Sequence, residues 1–457
     1  MEELELIFTQ IKNFVWGPPL LVLLLGTGVY LTFLLKGMQF RYLWYAFKAI
    51  FSSSKIDAKG DISPFEAFMT SLAGAIGTGS IVGVTTGIML GGLGSLFWMW
   101  IMAFFSMATK YAESLLAGQY RVVDDKGEMM GGPMQYIEIG LKWKWMAVVF
   151  AIFGAIAAIG TGNLVQVNSI AEAVNHIFVV DPWITGIVLS ILTGMVILGG
   201  VKSIGHVAGV LVPVMALFYL TAGLLVIAMH IDRVPEAFMR IISEAFHGRA
   251  AIGGFVGTTV MMSIQIGVSR SIFTNEAGLG ISSIAAAAAR TDNPGRQAMI
   301  TMTGALISTV IVCTITGLVL ALTDLIGTTT SSGKLLNGAS LILESFNSAL
   351  PGGAYIVSVG LILFAFSTVI AWGYYGEKCF EYLFGTRSVL LYRCLFTLIV
   401  IPGAAIKMEL AWLAADIMNG LMAIPNLIAL LGLKNVIISE TNSFLNIIQK
   451  EECRSQN

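Results

Sequence analysis

The residues best suited to ligand binding form a glycine-rich stretch inside a long apolar segment. Residues 73–80 have the sequence Ala-Gly-Ala-Ile-Gly-Thr-Gly-Ser, and they interrupt an apolar run that begins at Pro64. Glycines allow the backbone to unwind, and the second half of a broken helix then has free N–H groups at the positive end of its dipole. We therefore expect the amides of Thr78, Gly79 and Ser80 to bind a carboxylate.

The spacing of these glycines also has a purely structural explanation. Gly79, Gly83, Gly87 and Gly91 recur every fourth residue, which gives a helix a smooth face for close packing. Packing accounts for this spacing but not for the denser cluster that begins at Gly74. The cluster therefore favours ligand binding in addition to packing.

A second apolar segment is interrupted by polar and charged residues. Residues 267–271 are Gly-Val-Ser-Arg-Ser, and residues 274–280 are Thr-Asn-Glu-Ala-Gly-Leu-Gly. Within a membrane, the charges of Arg270 and Glu276 each cost at least about 2.5–3.5 kcal/mol, so they usually pair, gate or bind. Ligand contact is one explanation, and the other is a structural network with Glu66, Glu113 or Glu377.

Neutral polar side chains suggest two further binding elements. Ser367 and Thr368 are adjacent hydroxyls that would face a cavity if their helix packs on the first interrupted one, although such pairs also bond to their own helix. Asn163 and Gln166 lie one helical turn apart. They either recognise an amino group or form hydrogen bonds between helices, and the residues leave both possibilities open.

The composition places these segments in a membrane. The chain has 457 residues, of which 56% are hydrophobic and 12% charged, whereas soluble domains have roughly 45–50% and about 25%. The net charge of −1 provides no basic field for nucleic acid. The acidic N-terminus lacks the basic region of a signal peptide, so we expect the first helix to be retained.

Apolar runs long enough to cross about 30 Å of hydrocarbon predict about eleven membrane spans. They are Val15–Leu35, Pro64–Leu90, Leu93–Leu116, Trp145–Phe178, Trp183–Leu198, Val207–Met229, Ile252–Ala289, Met299–Leu322, Ala354–Leu383, Ser388–Ala405 and Leu410–Leu431. Most of the 26 Lys and Arg residues fall on one side if the N-terminus is outside and the C-terminus cytoplasmic. We therefore predict a multi-pass protein of the cell membrane in this orientation.

The order of the spans indicates an internal repeat. The two interrupted segments are five spans apart, as in transporters built from two inverted five-helix repeats with a solute site between them. The predicted domains are an extra N-terminal helix (1–40), a first repeat (60–230), a second repeat (250–432) and an amphipathic C-terminal tail (433–457). Shorter amphipathic helices are predicted at Met134–Leu141, Val234–Phe246 and Leu335–Phe346.

Six ordered motifs carry a resemblance to a known family. The chain resembles the alanine or glycine:cation symporters, also called the sodium:alanine symporter family, over almost its whole length. The matching residues are Gly77–Val84, Phe97–Trp100, Gly131–Met134, Phe273–Gly280, Phe364–Thr368 with Trp372–Glu377, and Asp416–Met422 with Pro425–Leu427.

The resemblance implies an all-α, leucine-transporter-like fold of five plus five helices and one extra N-terminal helix. It also implies sodium-driven uptake of small neutral amino acids such as alanine and glycine, with lipid, substrate and sodium as partners. No enzymatic activity, cofactor, nucleic acid or obligatory protein partner is expected.

The resemblance also implies a site. Thr78 and Gly79 would hold the carboxylate, the carbonyls from Gly267 through Ser269 and Ser271 to Phe273 would hold the amino group, and Thr368 and Trp372 would complete the pocket. Sodium would bind the carbonyls of Ala73, Ile76 and Phe364 and the hydroxyls of Ser367 and Thr368. The chain departs from the family at Ser80, Leu93 and Ser271, where Asn, Pro and Gly are usual, so the family's substrate size limit does not transfer directly.

Three other functions compete with sodium symport. Related proton-coupled carriers have a lysine in the sodium site, but the corresponding span, Val207–Met229, contains no Lys or Arg. An ion channel would need a continuous polar path or a filter sequence. An enzyme would need a nucleophile with a base or a metal cluster, whereas the four histidines are scattered at span ends. The sequence leaves the enantiomer preference, the sodium stoichiometry and the oligomeric state open.

Overall fold

A computed structural model describes residues 2–51, 58–248, 259–329, 333, 335–405 and 408–455. Over these ranges the chain is helical, apart from turns and the short antiparallel strands β1 (Val122–Val123) and β2 (Met129–Met130). Helices suit a membrane because lipid offers no hydrogen-bond partner, so each backbone group bonds within its own segment. The predicted all-α class is confirmed.

The helices are numbered in chain order. The first half contains α1 (Glu2–Val15), α2 (Pro18–Leu34), α3 (Met38–Arg41), α4 (Leu43–Ile50), α5 (Pro64–Ala75), α6 (Val82–Gly91), α7 (Gly94–Gln119), α8 (Pro133–Gln135), α9 (Lys144–Ala157), α10 (Val165–Phe178), α11 (Pro182–Ile197) and α12 (Gly200–Met229). The second half contains α13 (Val234–His247), α14 (Val260–Asn275), α15 (Ser283–Ala287), α16 (Pro294–Ala305), α17 (Cys313–Thr323), α18 (Gly338–Ala349), α19 (Gly353–Phe384), α20 (Val389–Gly403), α21 (Met408–Gly432) and α22 (Lys434–Ser455). Shorter 3₁₀ or π segments cover Thr78–Ser80, Tyr136–Gly140, Ala158–Leu164, Ile231–Arg233, Leu306–Val312 and Thr386–Ser388.

Several helices are long and apolar enough to cross a membrane. Within the described residues there are seven: Glu5–Leu34, Lys144–Asn175, Gly200–Met229, Pro294–Thr323, Gly353–Phe384, Thr386–Gly403 and Trp412–Gly432. Most predicted spans agree with helix ends to within a few residues, but the sixth begins at Gly200 rather than Val207. Residues 252–258 of the seventh predicted span lie outside the described residues. The total of eleven spans and the domain division stay predictions.

The first broken helix is capped and interrupted as the sequence predicts. The side chain of Ser63 accepts a hydrogen bond from the Glu66 amide and the Glu66 carboxylate accepts one from the Ser63 amide, which forms a capping box in front of Pro64. Helix α5 then ends at Ala75, and Ile76–Ile81 is non-α backbone before α6 begins. The unwound segment therefore lies between two halves of one apolar run.

The second broken helix corrects one prediction. Helix α14 continues without interruption from Val260 to Asn275, so the carbonyls of Gly267–Phe273 do not belong to an unwound segment. The break follows at residues 276–282, where Glu276, Gly278 and Gly280 have φ of 58°, 87° and 76°. Left-handed residues end the helix, and the glycines adopt this conformation without strain.

The broken helices form the centre of the molecule. Helix α5 packs against α12 and α19, while α14 packs against α6 and α7. The π segment Ala158–Leu164 also contacts α19 and α21. The binding elements that lie far apart in sequence are therefore brought to one place by packing.

The predicted short helices are present at the edges of this bundle. The segment predicted at Met134–Leu141 corresponds to α8 with the π turn after it, Val234–Phe246 to α13, and Leu335–Phe346 to α18. The C-terminal helix α22 buries Phe444 and Ile448 and packs against α7 and α16. It is therefore docked on the bundle along one face.

Candidate functional site

A small cavity lies between the two broken helices. It is lined by Gly74, Ala75, Gly77, Gly79, Thr161, Gln166, Phe273, Glu276, Leu279, Thr368, Trp372 and Asn419. It leaves about 10 Å³ for the centre of a water-sized sphere, which is the space of about one water molecule. A larger ligand therefore requires movement of the walls.

One end of the cavity offers free donors at the unwound segment. The amide of Gly79 has no acceptor among the described residues, and the buried hydroxyl of Thr78 is also without a partner. The amide of Ser80, in contrast, donates to the Gly77 carbonyl at 3.1 Å. Unpaired donors at the start of a helix suit an anionic group.

Gln166 fixes the position of this segment. Its Oε1 accepts a hydrogen bond from the Thr78 amide at 3.2 Å, and its Nε2 donates to the Thr161 carbonyl at 3.0 Å. Both bonds are buried, so each group would be left unsatisfied if its partner were removed. Gln166 therefore holds the unwound backbone in addition to lining the cavity.

Oxygen atoms from two helices meet beside the cavity. Thr368 Oγ1 lies 2.8 Å from the Ala73 carbonyl oxygen and 3.0 Å from the Phe364 carbonyl oxygen. Ser367 Oγ donates to the same Phe364 oxygen at 2.8 Å. Four of the five oxygens predicted to bind a cation are therefore clustered, and Ile76 lies at the adjacent end of α5.

Aromatic side chains close the cavity on two sides. A Cβ on Gly79 would lie 2.6 Å from Phe273 Cδ1, and the Phe273 ring is stacked on Trp412 with 5.2 Å between centroids. Trp372 packs directly on Gly162, where a Cβ would overlap it. These walls leave space for about one water molecule, so an amino acid can enter only if they move.

Several predicted site residues do not line the cavity. Asn163 Nδ2 donates to the Phe396 carbonyl at 2.7 Å, so this side chain joins two helices. Ser271 Oγ donates to the Met99 carbonyl and accepts from Asn275, which places it in a buried network. Gly267 packs against α7, and Ser269 does not line the cavity either. Thr78 and Ser80 are also outside the lining, and their amides, predicted to bind a carboxylate, already bond Gln166 and Gly77.

The buried charges form part of the predicted network, because Lys110 interacts with both Glu276 and Glu113, whereas Glu66 and Glu377 lie elsewhere. Glu66 belongs to the capping box, and Glu377 pairs with Arg393 at 2.7 Å. Arg270 packs its aliphatic stem on Gly87 and interacts electrostatically with Asp416. Glu276 is a cavity residue that sequence reasoning did not assign to the site, although its charge inside an apolar segment was the signal for it.

Comparison with known proteins identifies the family of the chain. A sequence model of the sodium:alanine symporter family matches residues 1–457. The chain belongs to the sodium:alanine symporter family. It is thus a multi-pass membrane transporter and not an enzyme.

Relatives cover nearly the whole symporter. The sodium/alanine symporter AgcS of Methanococcus maripaludis is 53% identical, with 97% of this chain and 98% of that protein covered. The probable sodium/glutamine symporter GlnT of Bacillus subtilis is 35% identical, with 96% and 91% covered. The amino-acid carrier protein AlsT of Bacillus subtilis is 34% identical, with 93% and 89% covered.

Two solved structures share the fold of the symporter. MhsT in complex with L-phenylalanine matches with a TM-score of 0.58 at 12% identity, over 84% of this chain and 98% of that one. A manganese transporter of Eremococcus coleocola matches with a TM-score of 0.51 at 14% identity, over 85% and 83%. The predicted leucine-transporter-like fold is therefore confirmed.

Gln166→Leu should raise the alanine concentration for half-maximal uptake about tenfold, because the Thr78 amide and the Thr161 carbonyl lose their buried partner. The measurement is radiolabelled alanine uptake into proteoliposomes at saturating sodium. Gln297→Leu is the matched control, since Gln297 is buried and bonds the Pro64 carbonyl away from the cavity. An equal effect of both variants would show that Gln166 has only a structural role.

Proposed function

We propose that this protein couples sodium entry to the uptake of alanine and glycine by alternating access. The observation that carries the proposal is the cluster of the Ala73 and Phe364 carbonyls with the Ser367 and Thr368 hydroxyls. These uncharged oxygens suit a small monovalent cation. They lie directly beside the cavity with the free Gly79 amide, which suits the carboxylate of an amino acid.

The size of the cavity supports a small substrate. Phe273, Trp372 and Gln166 all reach the cavity, and the remaining space is about 10 Å³. Any amino acid requires these walls to move, and glycine and alanine require the least movement. Alanine and glycine are therefore proposed here, although a relative carries the name of a probable glutamine symporter.

Sodium links the two halves of the site in the proposed mechanism. A cation between α5 and α19 holds the end of α5 against Thr368, and this fixes the unwound segment that carries the Gly79 amide. Sodium therefore lowers the free energy needed to organise the carboxylate site. A membrane potential of 100 mV, negative inside, favours the inward movement of sodium by about 2.3 kcal/mol per charge.

The competing functions have less support. A proton-coupled carrier would place a titratable or cationic side chain in the cation site, but the clustered atoms there are carbonyls and hydroxyls. A channel would have a continuous polar path, whereas this cavity leaves space for only about one water molecule. Alanine uptake under a sodium gradient or a pH gradient distinguishes sodium symport from both alternatives.

Alanine uptake into proteoliposomes should require an inward sodium gradient. We expect sodium outside to drive accumulation, and choline outside to reduce it to the level of empty vesicles. Competition by L-alanine, D-alanine, glycine and L-glutamine then defines the substrate class and the enantiomer preference. Equal uptake in sodium and choline would exclude sodium coupling, and uptake driven by a pH gradient alone would favour protons.

A further inference from the structure

Glu276 presents an unpaired carboxylate to the cavity. Its side chain is 1% exposed and lines the cavity. Trp372 and Lys110 act on the carboxylate, but neither of its oxygens has a well-formed hydrogen bond within the described residues. Burying a carboxylate without donors is costly, so such groups are normally paired. The arrangement points to a cationic ligand that supplies the missing donors.

The backbone at Glu276 is strained in a way that favours a functional role. Its φ of 58° is left-handed, and this position ends α14 through a 2.7 Å bond from the Glu276 amide to the Ile272 carbonyl. Glycine or asparagine fits such a helix end better. A charged residue in this conformation is expected where the side chain itself is needed.

Gly74 leaves room for the Glu276 carboxylate to lie close to the end of α5. A Cβ on Gly74 would lie 3.0 Å from Glu276 Oε1 and 2.9 Å from the Tyr375 hydroxyl. Gly74 belongs to the last turn of α5, where the helix dipole is negative. The dipole and the carboxylate therefore both favour a positive charge here.

The neighbouring charges leave one negative charge unmatched. Lys110 and Glu113 are buried close enough to interact electrostatically with each other, and Lys110 interacts with Glu276 as well. Glu113 Oε1 already accepts bonds from the Gly278 amide at 2.8 Å, the Gly280 amide at 3.1 Å and Asn426 Nδ2 at 2.7 Å. Two carboxylates and one ammonium have a formal charge of −1, which one added cation would balance.

We propose that Glu276 binds the α-ammonium group of the transported amino acid. This inference rests on the proposed function and replaces the Gly267–Phe273 carbonyls as the amino-group site. The Gly79 amide and the Glu276 carboxylate line the same cavity, so they match the two charges of a zwitterion. Sodium has its own cluster of neutral oxygens at Ala73, Phe364 and Thr368.

The test measures alanine and sodium binding separately on the purified full chain. In Glu276→Gln the dissociation constant for radiolabelled alanine at saturating sodium should rise about 30-fold or more, as expected for loss of a buried charge partner. Binding of ²²Na⁺ without alanine should stay within about twofold of wild type. Glu66→Gln is the matched control, because glutamine also completes a capping box, and it should change neither constant.

Competition by propionate, which lacks the ammonium group, separates recognition from folding. Wild type should prefer alanine to propionate strongly, and Glu276→Gln should lose most of this preference. Glu276→Asp keeps the charge and should keep the preference even if its affinity falls. A destabilised variant would bind both ligands less well and leave their ratio unchanged.

Three results would contradict the inference. The inference would be overturned if Glu276→Gln kept the wild-type alanine affinity or the wild-type alanine-to-propionate ratio. The proposed function would then still stand, because wild type would still bind alanine in a sodium-dependent way. Loss of ²²Na⁺ binding with normal alanine affinity at saturating sodium would assign the carboxylate to sodium instead. Absence of sodium-dependent alanine binding in wild type would overturn the proposed function itself.

Discussion

Gly79→Ala should abolish most alanine uptake. The new methyl group would lie 2.6 Å from Phe273 Cδ1 and 2.9 Å from Cε1, so the ring, which packs at a tilt on Trp412, would have to shift. Overpacking of this kind costs about 1–3 kcal/mol of packing free energy. If the cost falls on the alanine-bound state, the affinity for alanine drops about 5- to 150-fold. The methyl group also stands beside the free amide proposed to bind the carboxylate. The measurement is initial alanine uptake, together with alanine affinity in detergent.

Gly83→Ala is the control for this variant, because it adds the same methyl group four residues further along, in the first turn of α6. The nearest atoms to a Cβ there are 4.0 Å away, so the substitution should be tolerated. Both variants should be produced in similar amounts, with Gly83→Ala unfolding at the wild-type temperature and Gly79→Ala at a slightly lower one. Normal uptake by Gly79→Ala, or equal loss in both, would contradict a specific role for Gly79 at the site.

Thr368→Val should raise the sodium concentration for half-maximal alanine uptake about tenfold or more. Valine has a similar shape but removes the hydroxyl that lies 2.8 Å from the Ala73 oxygen and 3.0 Å from the Phe364 oxygen. The cation would lose a ligand, and α5 would lose its bond to α19. Loss of one such interaction corresponds to about 1.5 kcal/mol. Uptake at graded sodium and fixed membrane potential provides the measurement.

Two variants define the specificity of this effect. Thr368→Ser retains a hydroxyl and should restore much of the sodium affinity. Thr397→Val removes a hydroxyl that bonds only the Arg393 carbonyl of its own helix, so the sodium dependence should be unchanged. A Thr368→Val protein with normal sodium dependence would show that the oxygen cluster is a structural contact rather than a cation site.

Local sequence signals predicted the first broken helix closely. The Ser63–Glu66 capping box, the Pro64 start and the unwinding after Ala75 are all present, because each depends on residues within a few positions of one another. Thr368 was also placed correctly beside the end of α5. That placement depended on the family resemblance, which supplies the order of packed helices.

The second broken helix shows where local signals are insufficient. Gly267 and Ser271 resemble interruptions of an apolar run, but α14 continues through them because Gly267 packs on α7 and Ser271 bonds Met99. The actual break at Glu276 depends on left-handed backbone and on Glu113, which lies far away in sequence. A small or polar residue in a membrane helix has the same sequence signature whether it packs, bonds or unwinds.

The sequence alone determined that the protein is a helical membrane protein and which apolar segments carry polar interruptions. These properties follow from composition and from patterns within single helices, since each helix satisfies its own backbone in lipid. Only the tertiary structure decided which interruptions share one cavity. It joined Gly79 to Phe273, Thr368 to Ala73 and Glu276 to Lys110, and it placed Asn163 and Ser271 elsewhere. The reason is physical, because the direction of a buried polar side chain is set by the helix packed against it.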